Sequence, residues 1–326
     1  MPDTFQHDYD FDPSYGYDIQ RLLKVETGKA PVDFAEFWQN KYQQALQVKP
    51  YLSLQDTGKV HNSWRIYDCY YDSTEGIRIG GWLLLPTEGR VDKAIVWAHG
   101  YGGVDQPDSS WQLENTALLI PCIRGIGRSA KASISNDPYW HVLHNIQDKH
   151  QYIIAGCVQD LWCAVSALLN LFPQVKGHIG LIGTSFGGGL GVLASAFDKR
   201  ICRSHFHVPA FGNAQLRMTL QTVGSTKALL DFAKEHPEVI SETLPYFDAS
   251  VAARYLVQPT HWALGTFDPV VAPPGQFSIY NSCTSQKQLY LLQAGHFVYR
   301  GAGKQRRELR RIIENFFAIL GVDNAS

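Results

Sequence analysis

Several kinds of protein are excluded by what this sequence lacks. The opening stretch MPDTFQHDYDFDPSYGYD is acidic and polar, without the basic and apolar regions of a secretory leader. No apolar run approaches the roughly 18 residues that cross a bilayer. The six cysteines (Cys69, Cys122, Cys157, Cys163, Cys202, Cys283) are scattered, with no Cys-x-x-Cys pair. Without an export signal they read as reduced, mostly buried thiols rather than a disulfide framework or metal knuckle. Neither GxGxxG nor GxxxxGK[ST] occurs, so no nucleotide site is suggested. A net charge of −1, from 29 basic and 30 acidic residues, gives no general pull toward nucleic acid or anionic lipid. The expectations are a cytoplasmic protein with no nucleic-acid or membrane partner, no metal and no cofactor.

What is present is ordinary globular composition, 45% hydrophobic and 18% charged over 326 residues. In PVDFAEFWQNKYQQALQ (31–47), Phe34, Phe37, Trp38, Tyr42 and Leu46 share one helical stripe. WRIYDCYYD (64–72) and IRIGGWLLLP (77–86) read as a hairpin around STEG. Short, nearly continuous apolar runs then alternate with helical or loop stretches: KAIVWAHG, ALLIPCIRG, HIGLIGTS, ICRSHFHV, THWALGTFD and KQLYLLQAGH. Runs buried on both faces and separated by helices indicate a parallel sheet covered on both sides. A helix over 157–172 leads into the HIGLIGTS strand, another over 186–197 leaves it, and Leu309, Ile312, Ile313, Phe316, Phe317 and Leu320 mark an amphipathic C-terminal helix. The reading is one α/β domain over 1–326, with an extension over about 1–60 and insertions over about 128–150 and 212–249.

GTSFG (183–187) fits the G-x-S-x-G nucleophile elbow in context as well as letter, because a strand ends at Ser185 and a helix begins just after it. A serine hydroxyl needs a base to take its proton and an acid to hold that base. In this architecture the chain order is Ser, then acid, then His, each at the end of a later strand. Asp268 ends THWALGTFD and His296 ends KQLYLLQAGH, which makes them the candidate acid and base. Asp248 is the rival acid, but no buried strand precedes it. An oxyanion needs two preorganised N–H donors. Phe186, directly after the serine, supplies one, and Tyr101, in AHGYGG after an earlier strand, supplies the other. His141, His144 and His150 read as surface-loop histidines, since no carboxylate or thiol completes a zinc spacing. His205 and His207, on a buried strand, read either as pocket-lining or as satisfied core histidines.

The ordered set DFAEFW (33–38), IRIGGWLLLP (77–86), AHGYGG (98–103), GTSFGGGL (183–190), PAFGN (209–213), YFDA (246–249) and Gly295-His296 resembles the acetyl xylan esterase and cephalosporin C deacetylase family, carbohydrate esterase family seven. The resemblance implies an α/β-hydrolase fold and a Ser185–Asp268–His296 triad. It makes Tyr101 and Phe186 the oxyanion donors, with Pro209 and Phe211 beside the acyl group. It further implies a cofactor-free, cytoplasmic homo-oligomer, often a hexamer, that removes acetyl groups from small acetylated molecules. Three positions depart from the family pattern: Ile126 and Phe186 stand where Gln is usual, and Phe297 where Glu is usual. The competing readings are a prolyl-oligopeptidase-like serine peptidase, for which no propeller repeat is visible, and a hydrolase-fold scaffold without catalysis.

Overall fold

The computed structural model describes residues 5–320, so the ends of the 1–326 range lie outside it. Nine strands form one sheet: β1 Ser53–His61, β2 Trp64–Asp72, β3 Arg78–Pro86, β4 Lys93–Ala98, β5 Thr116–Pro121, β6 Ile179–Thr184, β7 Ile201–His207, β8 Thr260–Gly265 and β9 Lys287–Leu292, in the order β1-β2-β3-β5-β4-β6-β7-β8-β9. The links β1-β2-β3-β5 are antiparallel, and every pairing from β5 through β4 to β9 is parallel. This mostly parallel sheet with flanking helices is the α/β-hydrolase fold. Central strands such as TALLIP and THWALG are buried at every residue, as expected where helices cover both faces.

Some elements differ from the sequence reading. β1 (SLQDTGKVH), mostly within the 1–60 extension, is a strand of the sheet that the sequence pattern does not announce. Its residues are nearly all exposed, so it carries no apolar alternation to reveal it. The helix Phe34–Gln47 buries Phe34, Phe37, Trp38, Lys41 and Ala45, while Leu46 faces out. Ile153–Leu171 starts earlier than expected and, contrary to the reading of the apolar runs, is long and apolar enough to cross a membrane; 83% of its most apolar window is buried inside the fold. Five of the six cysteines are buried, and all are free thiols.

The strand order reverses around β4. The chain leaves β4 toward β5 on one side and leaves β6 toward β7 on the other, which opens a crevice beyond the carboxyl ends of β4 and β6. The loop Gly100–Gly103 and the turn at Ser185 both face it.

Candidate active site

Ser185 sits between β6 and the helix Phe186–Phe197 with φ 56° and ψ −114°. A non-glycine residue held there costs on the order of 1–3 kcal/mol, which the surroundings have to impose. They do so through backbone: Ser185 N–H donates to the His207 carbonyl at 2.8 Å, and the Ser185 carbonyl accepts from Gly189 and Ala210 at 3.0 Å each. The glycines of GTSFGG give the space. A Cβ at Gly187 would lie 2.2 Å from the Ala98 carbonyl oxygen, and one at Gly183 would lie 2.5 Å from that of Gly187.

From this turn the Ser185 hydroxyl reaches His296 Nε2 at 2.8 Å. His296 Nδ1 lies 2.9 and 3.0 Å from the two oxygens of Asp268. A carboxylate only accepts, so Nδ1 carries the proton and Nε2 is free to accept from the serine. Asp268 is fully buried and also accepts from the Val270 and Val271 amides and from Gln276 Nε2, at 2.9, 3.0 and 2.9 Å. Gln276 is fixed in turn: its other partners are the Val271 carbonyl and the Gly265 amide. Nothing in PPGQFS marks it from sequence. The backbone N–H of Asp268 donates to the Pro13 carbonyl at 3.0 Å, so the N-terminal segment is stitched to the acid's loop. Tyr15 Oη adds a bond to the Gln221 carbonyl, and Phe5 packs against Phe267, Phe297 and Tyr299.

Ser185, His296, Gly100, Tyr101, Phe186 and Phe211 line one cavity of about 540 Å³. The Tyr101 and Phe186 rings stack, with centroids 3.8 Å apart and planes at 16°. The residue after the serine is thereby tied to the loop after β4 by an aromatic pair. The other two departures are apolar as well: Ile126 is buried beside Gly103, and Phe297 joins Phe5 and Phe267.

Other expectations need correction. Pro209 is not on the cavity wall; it backs onto Gly188, and Ala210 and Phe211 face the space instead. His141 is not a surface histidine but wholly buried, while His144 is half-buried and His150 exposed. His141 Nε2–H donates to the Arg124 carbonyl at 3.0 Å, leaving Nδ1 to accept from Tyr101 Oη at 3.2 Å. Burial pushes its pKa down to about 4, so the ring is neutral and holds Tyr101. The stretch around it has no period that could have announced this. His205 pairs with His261, Nδ1 to Nδ1 at 2.9 Å, as core histidines away from the cavity. Asp248 is a structural carboxylate: it caps Ala249–Ala252 and accepts from the amides of Asn213, Ala214 and Ser250. Arg217, which no motif singled out, lines the cavity.

The fold, with this constellation at its switch point, defines a member of the α/β-hydrolases. The family model for acetyl xylan esterase (AXE1) matches residues 21–310. Among solved structures, acetyl xylan esterase 1 from Thermoanaerobacterium sp. JW/SL YS485 superposes with a TM-score of 0.79 at 20% identity, covering 95% of this chain and all of that one. Acetyl xylan esterase from Paenibacillus sp. R4 gives the same score and identity over 92% of this chain and all of its own. The acylaminoacyl peptidase of Pyrococcus horikoshii is similar in fold, with a TM-score of 0.61 at 17% identity, but only 42% of that chain is covered. The chain belongs to the acetyl xylan esterase family and is a carboxylic ester hydrolase, an acetyl esterase.

Proposed function

We propose that the protein removes acetyl groups from small acetylated molecules, of the xylo-oligosaccharide or cephalosporin C type, through an acyl-enzyme on Ser185. The observation that carries this reading is the hydrogen-bonded line Ser185–His296–Asp268, opening into the cavity that Tyr101 and Phe186 border. Ser185 Oγ attacks the acetyl carbonyl as His296 Nε2 takes its proton. The oxyanion is met by the backbone N–H groups of Tyr101 and Phe186. His296 returns the proton to the departing alcohol, leaving acetyl-Ser185. Water, deprotonated by the same nitrogen, then attacks the acyl-enzyme and releases acetate. Asp268 orients the imidazole throughout and does not take the proton.

The test is labelling with an organophosphonate, followed by peptide mapping, alongside turnover of p-nitrophenyl acetate and octanoate. The adduct is expected on Ser185, Ser185→Ala should lose turnover, and acetate should be preferred. An adduct elsewhere, unchanged activity in Ser185→Ala, or equal use of octanoate would each oppose the proposal. On the family resemblance we also propose a cytoplasmic homo-oligomer; light scattering that finds only the 36.6 kDa monomer would reject the assembly.

A further inference from the structure

The fold treats its buried arginines unequally. Arg124 is buried and saturated: it bonds Asp160, Glu75, Ser73 and Thr74. Even half-buried Arg200 is held, by Asp198, Ser166 and the Trp162 carbonyl. Arg217 is 9% exposed, yet among the described residues its guanidinium has neither a hydrogen bond nor an ion pair, and its Nε is wholly enclosed without a partner. A guanidinium stays protonated, and an unpaired charge at such a place is costly.

Three features fix Arg217 against the substrate space. It ends the short turn of helix Ala214–Arg217, whose start is pinned by Asp248 and capped by Asn213. The preceding segment is held in uncommon backbone geometry, with positive φ at Val208, Phe211 and Asn213. The guanidinium carbon lies 5.4 Å from the centroid of the Phe211 ring, and both residues line the Ser185 cavity. The carboxylate whose field reaches Arg217 is Asp248, but its oxygens are occupied by the amides of Asn213, Ala214 and Ser250 and by the Ser250 hydroxyl. Lys227, also on the cavity, is engaged by Asp231. The remaining wall includes the apolar Leu220, Val223, Val270 and Val271, with Asp137, Tyr139 and Thr226 as polar members.

We infer that Arg217 is a specificity-determining anion receptor, and that among small acetylated molecules the ester preferred at Ser185 carries a carboxylate, a charge that cephalosporin C has and a neutral xylo-oligosaccharide lacks. The planar donor fork of a guanidinium matches a carboxylate in bidentate fashion. Docking it would supply the partner the fold withholds. The inference rests on the Ser185 cavity being the active site, as proposed above.

Two matched pairs of esters read it. On the alcohol side, an O-acetyl hydroxy acid is compared with its primary amide; on the acyl side, p-nitrophenyl hemisuccinate is compared with p-nitrophenyl butyrate. The intact enzyme should prefer the carboxylate in one pair, which also tells the side. Arg217→Met should shrink that ratio of kcat/KM by about 10- to 100-fold, and Arg217→Lys should restore part of it. Should Arg217→Met fail to fold, the wild-type enzyme still decides: short carboxylates should slow organophosphonate labelling of Ser185, and their amides should not. No preference in either pair, a ratio untouched by Arg217→Met, or equal protection by acid and amide would overturn the inference while leaving the esterase reading intact. Failure to turn over any of the four esters or p-nitrophenyl acetate would remove both.

Discussion

Gly295→Ala is the smallest change expected to disable this site without touching a reacting group. The glycine lies against the acid, and an added Cβ would stand 1.9 Å from Asp268 Oδ2 and 2.6 Å from its Cγ. Real Cβ atoms essentially never come closer than 3.0 Å, so the two must separate by about 1.1 Å. The carboxylate has little freedom to yield, because the Val270 and Val271 amides hold one of its oxygens and Gln276 the other. Relief therefore comes from the Gly295-His296 loop, which carries the imidazole away from partners now at 2.9–3.0 Å. One ångström more ends that hydrogen bond. Misplacing a catalytic group by 1 Å costs about 10²-fold in rate, and a triad whose acid no longer fixes the base loses about 10⁴-fold. We expect kcat for p-nitrophenyl acetate to fall within those limits, with KM little changed and labelling of Ser185 slowed in parallel. A folded Gly295→Ala enzyme, by circular dichroism and thermal melt, that keeps kcat within about threefold of wild type would refute the reasoning.

His141→Phe should lower kcat by about 10- to 100-fold at nearly constant KM, since it removes the acceptor that holds Tyr101 while Tyr101 and its backbone N–H remain; steady-state kinetics with activity unchanged would dismiss His141 as a positioning residue. Stability should fall on mild acidification. Burial holds His141, His207 and His261 at a pKa of about 4, below the unfolded value of about 6.5. Their contribution is thus complete above pH 6.5 and is lost as pH falls from there toward 4, by up to about 1.4 kcal/mol per pH unit for each histidine. Urea midpoints at pH 7 and pH 5 measure it, and equal midpoints would contradict the burial argument.

Elements that repeat a pattern were legible in the sequence, and elements that depend on a meeting in space were not. The six parallel strands betray themselves as apolar runs because both of their faces are covered. The order Ser185, Asp268, His296 could be read because each residue closes such a run, and the three are indeed joined by hydrogen bonds in that sequence of contacts. β1 was illegible because an edge strand with both faces wet needs no apolar alternation. Pro209, which the resemblance sets beside the acyl group, backs onto Gly188 instead, because the positive φ at Val208 and Phe211 turns the backbone there in a way no motif announces. His141, Gln276 and Arg217 each act on a residue or cavity wall contributed by distant parts of the chain, so no local spacing distinguishes them from ordinary polar residues.

The seam between Pro13 and Asp268 also has a practical side. Because Phe5, Pro13 and Tyr15 hold Phe267, Asp268 and Gln221 in place, a bulky label or a protease nick in that segment is expected to lower turnover by loosening the acid's loop. The turn between β1 and β2 lies at the opposite edge of the sheet from β9, yet His61 and Asn62 bond Ser109 in the same β4–β5 loop that carries Tyr101, so a tag or linker fixed there would pull on that loop.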